Sequence, residues 1–77
     1  MAAKYDYESM VERGSLLRGD LVWEFDQWAT VKTMKDADFA DYVIFSVEYY
    51  DDAKGETIIS EPRQRPRHDV VKVRRRI

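Results

Sequence analysis

Seventy-seven residues without a cysteine make one domain with no room for a second core, and exclude disulfides and cysteine-ligated metal as reinforcement. Ten aromatics, two of them Trp, are the substitute, each burying roughly 150–250 Å²; association into a homodimer is the other remedy open at this size. The net charge of −2 averages an uneven division: residues 1–62 carry six Lys/Arg against fourteen Asp/Glu (net −8) and residues 63–77 seven against one (net +6), an asymmetry that points to interaction surfaces.

In chain order, Lys4–Arg13 places Tyr7, Met10 and Val11 at i, i+3, i+4 with Gly14 as a stop, which predicts a short amphipathic helix. Over Ser15–Met34, Gly19 penalises a helix interior, and the Trp, Val, Thr and Phe content of residues 20–33 favours a strand. Leu21, Trp23 and Phe25 then share a face, and Val31 and Thr33 continue the strand after a bend near Gln27. Lys35–Ala40 reads as a turn leading into Asp41–Asp51, the stretch that buries most apolar surface per residue. There Val43, Phe45, Val47 and Tyr49 make an apolar row, and Tyr42, Ile44, Ser46, Glu48 and Tyr50 an amphipathic one. Asp51–Gly55 followed by Glu56–Ser60 is a hairpin signal, with Gly55 free to adopt the left-handed conformation. Glu61–His68, with Pro62 and Pro66, reads as a connector. Asp69–Ile77 alternates apolar and basic residues, as an edge strand or as a basic arm that orders on binding.

A lone hairpin is marginal in water, so the expected architecture is a small α+β domain. It has a three- to four-stranded, mostly antiparallel sheet and one short N-terminal helix, with Trp23 and Trp28 helping to seal the core. Within the single domain 1–77, residues 1–62 form an acidic body and 63–77 a basic C-terminal arm or edge strand.

No catalytic constellation is expected. The single histidine, His68, sits in a Pro- and Arg-rich connector, and a pairing with Ser9, Ser15, Ser46 or Ser60 has no pattern behind it. Asp36-x-Asp38-x-x-Asp41 suggests a calcium loop, but Asp41 and Val47 fall where an EF-hand needs glycine and a bidentate Glu. The glycines form no phosphate cradle, and Arg18-Gly19-Asp20 reads as a chance occurrence of an integrin-ligand tripeptide. No cofactor, metal or enzymatic activity is expected.

Two charged surfaces remain. Asp36, Asp38, Asp41, Asp51 and Asp52, with Tyr49 and Tyr50 as anchors, suit a basic site on a partner protein, and carboxylates along a rigid sheet imitate the charge spacing of a phosphate backbone. Arg63, Arg65, Arg67, Lys72, Arg74, Arg75 and Arg76 suit nucleic acid instead, unless the acidic body neutralises them. The leading expectation is a non-enzymatic protein that blocks or modulates a partner through a charged surface. Size and composition match phage-type inhibitors of host defence (anti-CRISPR-like) or of transcription machinery. A small nucleic-acid-binding regulator is the alternative. With neither a secretory signal nor a run approaching the roughly 20 apolar residues of a membrane span, the expected setting is the cytoplasm, with no membrane partner.

Overall fold

β-Branched and aromatic runs become strands throughout the computed structural model, which describes residues 5–76. The strands are β1 (Ser9–Glu12), β2 (Leu21–Glu24), β3 (Gln27–Asp36), β4 (Tyr42–Asp51), β5 (Glu56–Ile59), β6 (Arg63–Pro66) and β7 (Val70–Arg74), with one 3-10 turn at Arg13–Ser15. All pairings are antiparallel, in the order β1-β7-β2-β3-β4-β5, with β6 also on β4. The expected α+β class is therefore wrong: this is a seven-stranded all-β sheet, and the described residues contain no α-helix.

The ten-residue β4 is the axis. One edge pairs with β3, while the other is shared, Tyr42–Phe45 bonding β6 and Glu48–Asp51 bonding β5. Ser60 fills the gap between them: its N–H donates to the Val47 carbonyl at 2.8 Å and its Oγ accepts the Val47 N–H at 3.0 Å. The two rows expected for this strand are observed except at Ser46: Val43, Phe45 and Val47 are buried and Tyr42 and Tyr50 exposed, but Ser46, of the amphipathic row, is buried as well. Gly55, at φ 68°, closes the β4–β5 hairpin as its sequence predicts.

Connection lengths force the sheet to curl. In a flat sheet β6 and β7 would lie four strand spacings apart, about 19 Å, yet Pro66 and Val70 are four virtual bonds apart, at most about 15 Å. The flanks consequently meet, with Arg13 N–H donating to the Asp69 carbonyl at 2.7 Å and Gly14 N–H to that of Arg67 at 2.8 Å. Gly14 is required for this approach, since a Cβ there would stand 2.9 Å from Arg67 Cγ.

The core enclosed by the curl is narrow. Val22, Val31, Val43, Val47, Val71 and Val73 surround Phe45, with Leu16 and Ala29. Tryptophan does not fit such an interior, which overturns the expected sealing role of Trp23 and Trp28. Val22 and Ala29 face inward instead. Trp23 and Trp28 pair edge-to-face on the outside, ring centroids 5.3 Å apart, beneath the cations of Lys72 and Arg74.

Three further corrections follow from partners that lie far away in sequence. The expected N-terminal helix is replaced by β1, because Val11 packs on the core while β1 pairs with β7 from Ser9↔Val73 to Glu12↔Val70. The Glu61–His68 connector contains β6. Its prolines are tolerated because Arg67 bonds Asp41 directly, so by alternation Pro66 occupies a position whose backbone points away from β4. The Asp69–Ile77 segment is neither edge nor arm, since β7 lies between β1 and β2. Lys4 and Ile77, at the ends of two of these expected elements, lie outside the described residues.

Candidate functional site

Weaving the basic segment into the sheet brings its cations against the acidic body. Arg63 lies 3.7 Å from Glu24, Lys72 3.7 Å from Glu8 and Arg75 3.6 Å from Asp20, and Arg67 pairs with Asp36. Arg74 donates to the Asp6 carbonyl at 3.1 Å and Arg65 to that of Gln64 at 2.8 Å. Arg76 is exposed, its backbone bridging to Tyr5. The seven basic candidates thus spread along β6, β7 and the residues that follow rather than converging on one patch.

The acidic candidates divide. Asp36, Asp38 and Asp41 lie at the start of β4, Asp51 and Asp52 at its finish, separated by nine strand rises or roughly 30 Å. That exceeds a Debye length of about 8 Å, so the two groups act independently. The first is largely engaged: Asp36 binds Arg67, while His68 stands with Nδ1 3.1 Å from Glu12 and Nε2 3.8 Å from Asp41. No serine hydrogen-bonds His68 among the described residues: Ser15 Oγ donates to the Glu12 carbonyl, and Ser46 Oγ lies 2.6 Å from Thr33 Oγ1.

At the second end two hairpins converge. The β2–β3 reversal is a two-residue turn with Phe25 and Asp26 both left-handed, at φ 53° and 58°, the geometry of a type I′ turn that ordinarily takes Asn-Gly. Gln27 clamps this tip to β4: its Nε2 donates to the Tyr50 carbonyl at 2.8 Å and its Oε1 accepts the Tyr50 N–H at 2.9 Å. The Phe25 ring then lies 4.4 Å from that of Tyr49, with Arg63 over its face. Across the clamp, Asp51 Oδ1 accepts the N–H groups of Ala53 and Lys54 and shapes the neighbouring turn.

The result is an end carrying Asp26, Asp51, Asp52 and Glu56 beside Phe25 and Tyr50, which are 45% and 49% exposed. None of these four carboxylates has an ion pair among the described residues. Tyr49 is half-buried against the core and supports the end rather than presenting itself. Sequence reasoning missed Phe25 and Asp26. The available signal was the placement of Trp23 and Trp28 at equal distances from a two-residue centre, as cross-strand partners require.

Arg18-Gly19-Asp20 presents no carboxylate to solvent. Asp20 is 4% exposed, and its Oδ2 accepts the Leu17 N–H at 2.8 Å. No helix of the described residues is long and apolar enough to cross a membrane. Comparison of the chain with family models finds no match, and comparisons with curated proteins and with solved structures find none.

Proposed function

We propose that this chain is a non-enzymatic interaction protein of the cytoplasm that covers a basic surface on a partner protein, using the end formed by the β2–β3 and β4–β5 turns. The observation that carries this reading is the gathering of Asp26, Asp51, Asp52 and Glu56, without internal ion pairs among the described residues, around exposed Phe25 and Tyr50. Carboxylates at the rim accelerate encounter with a basic groove, and aromatics supply the desolvated anchors. A groove built for nucleic acid is the partner chemistry that fits. Asp36, Asp38 and Asp41 fall outside this contact, at the far end of β4.

The test is the affinity of the captured partner for the wild-type chain and for the pair Asp26→Asn, Asp52→Asn. The expected result is a loss of about tenfold or more at low salt, mostly in the association rate and shrinking as salt rises. Unchanged affinity overturns the reading. The nucleic-acid alternative has less support, because Arg63, Arg67, Lys72 and Arg75 are engaged in ion pairs. It requires a gel shift that falls steeply with salt.

A further inference from the structure

A groove of about 790 Å³ runs over the outer face of β3, β4 and β6, remote from the turn end described above. Its base is a single cross-strand row, Lys35 opposite Ile44 and Ile44 opposite Gln64. Pro62 and Arg18 line it as well. The base is rigid because Val43 and Phe45, flanking Ile44, are fully buried. The backbone beside Arg18 is fixed by its turn, where Gly19 N–H donates to the Val31 carbonyl at 2.9 Å and Asp20 N–H to that of Leu17 at 3.0 Å.

The charges around this groove differ from those elsewhere on the sheet. Lys32, three residues before Lys35, has Glu48 at 3.0 Å, and Arg63, Arg67, Lys72 and Arg75 of the C-terminal segment are likewise in ion pairs. Arg18 and Lys35 have neither an ion pair nor a side-chain hydrogen bond among the described residues. Two uncommitted cations thus flank an apolar strip of Ile44 and Pro62, with the Gln64 amide opposite.

The volume falls within the roughly 300–1,000 Å³ of small-molecule sites. A peptide adding as a strand is disfavoured at this border, because Pro62 and Pro66 remove backbone donors from the free side of β6. We propose that the groove binds a small amphipathic carboxylate, its aliphatic body over Ile44 and Pro62 and its carboxylate between Arg18 and Lys35.

Decanoate, decanol and decyl phosphate serve as probes, titrated into the isotopically labelled full chain and followed by amide chemical shifts. Decanoate is expected to give saturable shifts centred on Arg18, Lys35, Ile44 and Gln64, with decanol weaker by about tenfold, the worth of one charge-assisted hydrogen bond. Lys35→Glu is expected to abolish decanoate binding while leaving the circular dichroism spectrum and melting temperature unchanged. Arg18→Gln paired with Lys35→Gln gives the same comparison should the charge reversal disturb the sheet. Decanol binding as tightly as decanoate, shifts spread over the whole sheet, or failure to saturate each overturns the proposal. Decyl phosphate binding more than about tenfold tighter than decanoate overturns the carboxylate assignment.

Discussion

Single side chains decide whether the loops of this sheet stay closed. Asp20 is the clearest case, its buried carboxylate holding the Leu17 N–H at 2.8 Å with Arg75 at 3.6 Å. Through that bond it fixes the turn that sends Leu16 into the core. Asp20→Ala removes the acceptor of the part-buried Leu17 N–H and the carboxylate facing the buried Arg75 Nε, and is expected to cost about 1–3 kcal/mol in urea unfolding; Asp20→Asn, which keeps an acceptor, should cost less. Asp26 behaves in the opposite sense. A non-glycine residue in the left-handed region is penalised by roughly 1–2 kcal/mol, so Asp26→Gly is expected to stabilise the fold by about 1 kcal/mol, raising Tm by about 4–8 °C. The same change should weaken partner binding. A lowered Tm would mean that the Asp26 side chain supports the turn, and that its charge is not held there for a partner.

At the level of elements, what could be read from the chain depended on whether a strand carried its own evidence. β4 did, through two opposed rows ten residues long, and the β4–β5 hairpin did through Gly55. β1 did not, because four residues spaced equally well for a helix acquire their meaning from β7, some 60 positions away. The β2–β3 turn was hidden because Phe-Asp carries no turn signal, its left-handed geometry being held by the Gln27 clamp and the Phe25–Tyr49 contact. β6 was masked by its prolines, which speak against a strand unless the strand has one free side. Asp51 and Asp52 of the candidate site were legible, but Asp26 and Glu56 were not singled out, and neither was the partition from Asp36, Asp38 and Asp41, which only the length of β4 produces. The prolines also yield a prediction for the assembled sheet. Replacing Pro62 with Ser and Pro66 with Thr restores donors along the free border of β6, and sedimentation velocity is expected to show concentration-dependent self-association absent from the wild type.

For the molecule as a whole, stability rests on one narrow core with a single large ring. Phe45→Ala is expected to cost about 3–5 kcal/mol, a large part of the roughly 5–15 kcal/mol typical of a domain. Thermal melting should show a largely unfolded variant at physiological temperature. Cutting the chain after Ser60 removes β6 and β7, and with them Val71 and Val73 of the core. That fragment is expected to give no cooperative melt, so the part played by the basic residues has to be tested by substitution in the intact chain.

The placement of β7 between β1 and β2 also governs how the chain is made. A ribosome delivers residues in order, and Ser9–Glu12 has no ladder to join until Val70–Arg74 has left the exit tunnel. The β2–β5 meander therefore emerges with its inner valines wet and one flank unsealed, and closure is a late event relying on contacts distant in sequence, which form slowly. Chains arrested on the ribosome before Val70 emerges should be cut readily by protease, and those arrested after Arg74 has cleared the tunnel should resist.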